Sequence, residues 1–209
     1  MNICKSTLSF LNDRTDRDFN IFALIILIVM QLCIVSGCLL PESYGGKNSL
    51  PEFIQLAILV VCCIVAFRAT SNRRLFLFAG FVLIFLFLRE INYGRTLWFF
   101  ADPDDPEKFP KWKDIPYGWL AHVFVGIYLT LLVTVFIWKK LYRDTWELLK
   151  SVRFPAWECS LLIINALCAQ ISERVFHNNL IEEFFELTFY TAFTCLLWRF
   201  ARGLYKTCR

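Results

Sequence analysis

The chain has 209 residues, of which 57% are hydrophobic and 17% aromatic, and its formal net charge is +4. A mean hydropathy of +0.52 is typical of a polytopic membrane protein and excludes an ordinary soluble domain. The small positive charge does not indicate a nucleic-acid partner, because the basic residues gather in short loops between apolar segments. The partner that the composition predicts is the lipid bilayer.

Apolar segments long enough to cross a bilayer recur along the chain, since one helical crossing needs about 20 residues. We place six of them near residues 19–40, 51–69, 75–99, 119–138, 155–176 and 180–200. The sequence therefore predicts an all-α fold with three transmembrane hairpins in one domain over residues 19–201. A short polar leader, 1–18, precedes this domain, and a short tail, 202–209, follows it.

Basic residues predict the orientation of these segments. Arg68, Arg73 and Arg74 lie between the second and third segments, and five more Lys and Arg residues lie between the fourth and fifth, over residues 139–153. Short loops rich in Lys and Arg stay in the cytoplasm. We therefore expect a multi-pass protein of the cell membrane (an inner or plasma membrane) with its leader and its tail in the cytoplasm.

Ionisable residues interrupt four of the apolar segments. A charged side chain at the centre of a membrane helix costs roughly 2.5–3.5 kcal/mol on insertion scales, so such residues are rare and usually functional. The set comprises Arg89, Glu90, His122, Glu173, Arg174, Glu182, Glu183 and Glu186. The sequence thus predicts a polar site inside an apolar bundle.

Depth and spacing indicate that these groups converge. Counted from the predicted boundaries at about 1.5 Å per residue, Glu90, His122, Glu173 and Glu186 each lie roughly 5–10 Å below the outer surface. Glu182, Glu186 and Tyr190 are four residues apart, so they share one face of the sixth helix. We expect one shared site that opens toward the outer leaflet.

The leading hypothesis is a membrane enzyme that acts on a lipid headgroup or a lipid-linked substrate. Clustered acids and bases suit proton transfer, and two histidines with carboxylates suit a divalent metal that activates water. The candidate catalytic residues are Glu90, Tyr93, Glu173, Glu186 and Tyr190. The candidate substrate-binding residues are Arg89, Asn92, Arg95, Arg174 and Asn178, and the candidate metal ligands are His122, His177, Glu182 and Glu183.

Three alternatives stay open from the sequence. The arginines and glutamates pair only to lock the helices, or the cluster carries a proton, cation or small solute, or the chain is a partner-binding subunit. The sequence does not identify the metal, and it leaves the oligomeric state open.

Two features near the inner surface have a structural interpretation. Lys139, Lys140, Arg143 and Trp146 form a basic amphipathic stretch, which we expect to rest on anionic inner-leaflet lipid. Glu158 lies near the inner end of the fifth segment, and we expect it to pair with a nearby base.

Overall fold

A computed structural model of the chain describes residues 15–41, 44, 49–94, 110–112, 115, 117–176 and 178–207, without the side chains of Glu173 and Phe176. Its α-helices are α1 Ile21–Leu39, α2 Leu50–Phe67, α3 Arg73–Glu90, α4 Trp119–Trp138, α5 Leu141–Ser151, α6 Ala156–Ile171 and α7 Asn179–Ala201. A 3-10 turn, Asn92–Gly94, follows α3, and a π turn, Ser172–Phe176, extends α6. The all-helical class predicted from the sequence is confirmed.

Among the described residues, three helices are long and apolar enough to cross a membrane, namely α1, α2 and α4. The 16-residue helix α6 is also apolar but shorter. Helices α3 and α7 have 18 and 23 residues, but α3 has two charged residues at each end, and α7 has three glutamates in its first two turns and an arginine in its last turn. The lengths and hydropathies of α1, α2 and α4 support a membrane protein.

Helix α7 lies at the centre of the bundle and packs against α1, α2 and α6. One face of α7 joins α2 and α3 in a core that includes Leu59, Phe76 and Leu197. Another face joins α1 and α6 in a core of Ile26, Leu161, Ala192 and Cys195. Apolar side chains on two faces of α7 therefore hold the helices around it together.

Helix α4 lies at the edge of the bundle, and none of its residues is buried. It contacts α3, where the Tyr128 hydroxyl donates a hydrogen bond to the carbonyl of Phe81 at 2.9 Å and its ring stacks on Phe85. A helix with a mean hydropathy of 2.3 in its most apolar window and no buried residue needs an apolar surrounding, as a bilayer provides.

Local chemistry sets the helix ends. The Asn20 carboxamide oxygen accepts hydrogen bonds from the amides of Phe22 and Ala23 and so caps α1. Helix α3 ends at Glu90, earlier than the predicted segment boundary at residue 99. Asn92 and Tyr93 adopt left-handed backbone angles, with φ of 46° and 54°, and this conformation stops a helix.

The leader is extended where the structure describes it. The two-residue strand β1, Thr15–Asp16, pairs in parallel with β2, Phe154–Pro155. This pair brings the leader to the start of α6 and the end of α7, and we call this the terminal end of the bundle. The opposite end, where α3 and α6 finish and α7 begins, is the loop end.

Candidate functional site

A polar cavity of about 210 Å³ opens at the loop end between α3, α6 and α7. Its polar lining consists of Arg89 and Glu90 from the last turn of α3, Gln170 from α6, and Glu186 and Tyr190 from α7. Ala166 and Ala169 complete the α6 wall. Because alanine side chains are small, they leave space between the helices that the longer polar side chains of α3 and α7 enter.

A short hydrogen bond in this cavity joins two predicted catalytic residues. The Tyr190 hydroxyl donates a hydrogen bond to Glu90 Oε1 at 2.7 Å, and so links α7 to α3. A hydrogen bond from an O–H group to a carboxylate is stronger than one between neutral groups. The pair fixes a carboxylate beside the Arg89 and Glu186 side chains that line the same cavity.

The structure thus brings together four predicted site residues, Arg89, Glu90, Glu186 and Tyr190. Their spacing explains the convergence, because Glu186 and Tyr190 stand one turn apart on α7, and Arg89 and Glu90 end α3 at the same level. The arrangement offers a cationic group for an anion, and carboxylates that can accept or deliver a proton.

Glu183 lies on a different face of α7 and contacts α2. Gln55 Nε2 donates to Glu183 Oε2 at 2.7 Å and to the Glu183 carbonyl oxygen at 2.9 Å. Gln55 is 2% exposed, so this is a buried polar contact between helices. The sequence analysis missed Gln55, whose signal was a single amide in an otherwise apolar segment.

Other predicted site residues lie apart from the cavity lining. The exposed His122 ring packs edge-on against Trp112, with ring centroids 5.9 Å apart, and the Tyr93 ring packs on Phe85. Arg174 is exposed in the π turn, and Asn92 lies in the 3-10 turn. The Asn178 side chain accepts a hydrogen bond from the amide of Ile181 and caps α7.

The predicted metal site falls partly outside the described residues. Arg95, His177 and the side chain of Glu173 are not among them. Within the part of the chain that the structure describes, no three His, Cys, Asp or Glu side chains lie close enough together to hold a metal ion. Because His177 was one of the proposed ligands, the divalent metal stays a prediction.

The terminal end holds a second polar cluster, which the sequence analysis largely missed. Arg199 donates to Glu158 Oε1 at 2.5 Å through Nη1 and to Asp16 Oδ2 at 2.6 Å through Nη2. Its Nε donates to the carbonyl of Leu204 at 2.9 Å. Asp16, Glu158 and Arg199 are 4%, 0% and 6% exposed. We call these three residues the terminal triad.

Two further residues complete the surroundings of the terminal triad. Asn20 Nδ2 donates to Glu158 Oε1 at 2.8 Å, so the cap of α1 also orients this carboxylate. Lys206 donates to Asp16 Oδ1 at 3.1 Å and also pairs with Asp18. The expected pairing of Glu158 with a base is confirmed, and that base is Arg199.

These contacts shift the pKa values at the terminal end. Burial alone raises the pKa of Asp16, but hydrogen bonds from Lys206, the Asp18 amide and Arg199 outweigh it, so the pKa lies below its usual value. The pKa of Lys206 lies above its usual value because this ammonium donates hydrogen bonds to Asp18 and Asp16. Both shifts favour the charged forms that the ion pairs need.

Comparison with known proteins gives no family for this chain. No family model matches it, and neither a curated protein nor a solved structure matches it.

Proposed function

We propose that the chain is a six-span membrane protein whose loop-end cavity is an acid–base site that acts on lipid or a lipid-linked substrate. The observation that carries this proposal is the Glu90–Tyr190 hydrogen bond inside a cavity that Arg89 and Glu186 also line. Acids and bases grouped in one cleft are typical of working sites.

The proposal includes an orientation. In addition to α1, α2, α4 and α6, helices α3 and α7 cross the membrane, with their charged residues turned to the bundle or placed at the ends. The Lys- and Arg-rich connections lie at the terminal end, so this end faces the cytoplasm and the cavity opens toward the outer leaflet of the cell membrane.

Each cavity residue has a role in this proposal. Arg89 binds the anionic part of the substrate, such as a phosphate, because a guanidinium presents several donors to its oxygens. Glu90 and Glu186 take and return protons, and Tyr190 holds Glu90 in place and passes a proton to or from the substrate. Among the described residues, His122, Glu182 and Glu183 do not form a metal-binding group, so the proposed chemistry uses no divalent ion.

The orientation predicts a labelling pattern. Single cysteines placed in the 101–114 loop should react with a membrane-impermeant maleimide applied to intact cells, and cysteines placed in α5 should react only after lysis. The protein has nine native cysteines, which must first be replaced. The reverse pattern would overturn the orientation, and labelling at both positions in intact cells would overturn the span count.

The acid–base site predicts that Glu186→Gln abolishes the cellular phenotype of the gene while the protein stays folded. Loss of a general acid or base lowers a rate by about 10²–10⁴-fold. Glutamine has nearly the same size as glutamate and keeps a side-chain oxygen that accepts hydrogen bonds, so the fold should survive the change. Thermal midpoint and phenotype are measured on the same variant, with the exposed Asp18→Asn at the terminal end as the control.

If Glu186→Gln unfolds the protein, or leaves the phenotype intact, the site is a helix lock and the enzyme proposal is wrong. If the variant stays folded and the phenotype is lost, changes in membrane lipid composition between wild-type and variant cells identify the substrate class. Lipid-linked sugars and phospholipid headgroups are the two classes to compare.

A second candidate function is transport of a proton or cation, and one observation favours it. Glu158 Oε2 and Asn165 Oδ1 are buried acceptors without a hydrogen-bond partner among the described residues. Glu158 belongs to the terminal triad, and Asn165 lies two turns further along α6 toward the loop-end cavity. Buried polar atoms of this kind are usually satisfied by internal water, and a water file between the two clusters would conduct protons. Proton flux into liposomes that Asn165→Leu abolishes would favour transport over the enzyme.

A further inference from the structure

At the terminal end, a groove of about 490 Å³ lies between the first turn of α3 and one face of α5. Arg73 and Arg74 line one side, and Asp144 and Glu147 of α5 line the other. Neither arginine nor either acid forms an ion pair within the described part of the chain. The groove therefore presents two positive and two negative groups that do not neutralise each other directly.

A second, apolar cavity of about 230 Å³ continues along α3 from the same place. Leu77, Phe78 and Phe81 of α3 line it together with Val135 of α4. Arg74 lines both cavities, so the polar groove and the apolar cavity meet at this side chain. An apolar channel that leads away from a charged groove matches the shape of a lipid, with one headgroup and its acyl chain.

The surroundings put the charged groove at headgroup depth. Lys139 lies over the exposed Trp138 ring at 4.8 Å, and Lys150 lies over the exposed Trp146 ring at 5.0 Å. Exposed tryptophans beside lysines are typical of the boundary between acyl chains and headgroups. None of the residues of α4 is buried, so the apolar cavity beside this helix lies next to the bilayer.

We propose that this pair of cavities binds an inner-leaflet phospholipid whose headgroup carries a phosphate and a primary ammonium group. The phosphate lies against Arg73 and Arg74, and the ammonium lies against Asp144 and Glu147. An acyl chain lies along Leu77, Phe78 and Phe81. The inference rests on the proposed membrane insertion, but it is independent of the acid–base site at the other end.

The charges decide between headgroups. An anionic headgroup without an ammonium leaves Asp144 and Glu147 facing its negative charge, which is unfavourable. A quaternary ammonium cannot donate hydrogen bonds to carboxylates and is usually bound by several aromatic rings, whereas the groove has one, Tyr205. A primary ammonium donates N–H bonds to both acids and is the group that fits.

The test measures lipid retention on the full-length protein. Delipidated protein in detergent is incubated with phosphatidylethanolamine, phosphatidylcholine or phosphatidylglycerol, and bound lipid is counted by native mass spectrometry. We expect phosphatidylethanolamine to bind about tenfold more tightly than the other two, the factor that one charge-assisted hydrogen bond provides. Equal binding of the three lipids would overturn the proposal.

Variants assign the two halves of the headgroup. Asp144→Asn with Glu147→Gln should shift the preference to phosphatidylglycerol, because two positive charges then remain. Arg73→Gln with Arg74→Gln should weaken all three lipids about tenfold. The exposed pair Arg68→Gln and Lys150→Gln, which lines neither cavity, is the matched charge control and should keep the wild-type order. If the variant with Asp144→Asn and Glu147→Gln keeps the wild-type order of lipid affinities, the assignment of the ammonium to these two acids is wrong. If this double variant does not fold, the single change Glu147→Gln provides the same test.

Two further experiments distinguish a lipid, which has acyl chains, from a soluble ligand. Leu77→Trp fills the apolar cavity and should lower retention of all three lipids without changing their order. Glycerophosphoethanolamine, which has the headgroup but no chains, should not compete at concentrations that saturate the lipid. Competition as strong as that of the lipid itself would mean that the groove binds a soluble phosphate ester, and the lipid proposal would be wrong.

Discussion

The two polar clusters of this protein differ in how completely their charges are matched. In the terminal triad, Arg199 donates three hydrogen bonds, and Asp16 and Glu158 each accept one of them. In the loop-end cavity, a tyrosine holds Glu90, and the arginine of that cavity is exposed. The first cluster is buried and filled by its own side chains, while the second encloses open space.

Under the proposed function, this difference separates a structural role from a catalytic one. A buried charge needs partners that satisfy it, and the triad supplies them by joining the leader, α6 and α7. A working site needs polar groups directed into a space that a substrate can enter, and the cavity of about 210 Å³ provides it. The charged residues at the terminal end therefore suit stabilisation of the fold, whereas those at the loop end suit the binding of a substrate.

Removing Arg199 should produce the largest loss of stability of any single change in this comparison. Arg199→Met leaves Glu158 as a buried carboxylate without a cationic partner and leaves Asp16 with Lys206 as its cationic partner, which costs about 3–5 kcal/mol. The measurement is the thermal midpoint or denaturant stability in a fixed detergent, with exposed Arg202→Met in the next turn as the control.

A variant whose triad carries no charge tests whether unpaired carboxylates cause this loss of stability. Asp16→Asn and Glu158→Gln added to Arg199→Met should restore much of the lost stability, since no charge stays buried without a partner. If the triple variant is no more stable than Arg199→Met, the triad's carboxylates are not what destabilises the single variant.

Local patterns predicted the helices well but predicted the partners of polar side chains poorly. The α4 bounds, Trp119–Trp138, coincide with the predicted segment because its apolar run begins and ends sharply. Helix α3 ends at Glu90, inside the predicted segment 75–99, since hydropathy does not register the turn at residues 91–94. Left-handed angles at Asn92 and Tyr93 were not visible in that pattern.

Long-range contacts explain what the sequence analysis missed. Asp16 and Arg199 lie 183 positions apart, and Asn20 and Glu158 lie 138 apart, so no local spacing links them. Glu90 and Tyr190 are 100 positions apart, but they were placed in one group, because Glu90 and Glu186 had been assigned to the same membrane depth and Tyr190 to the same helix face as Glu186. Counting residues along an apolar segment gives each residue an approximate depth in the bilayer. The leader lies outside the apolar segments, so its residues could not be assigned a depth in this way.

Tyr190→Phe should have an intermediate effect that sharpens the contrast. It removes the hydroxyl that donates to Glu90 and keeps the ring, so stability should fall by only about 1 kcal/mol. In a working site the phenotype should weaken far more than stability does. Phe189→Leu, on the same helix and in the same cavity lining, is the control for a change in packing. A Tyr190→Phe variant with full function would remove the hydroxyl from the proposed proton path.

Acid should produce the smallest effect, and only at the terminal end. The pKa of Asp16 is below its usual value of 3.8 in the folded protein, so this carboxylate contributes stability above that value. The contribution is lost as the pH falls through the lower folded pKa, and it should therefore be constant between about pH 5 and 7 and decline below about pH 4.

The thermal midpoint is followed across that range for wild-type protein and for Asp16→Asn, whose position 16 no longer titrates. The two curves should converge as the pH falls, because protonation and the Asn substitution both remove the negative charge that Arg199 and Lys206 bind. Curves that stay parallel down to pH 3 would show that Asp16 keeps the same proton affinity in the folded and unfolded chains, and the ion pairs of the terminal triad would then contribute little to stability.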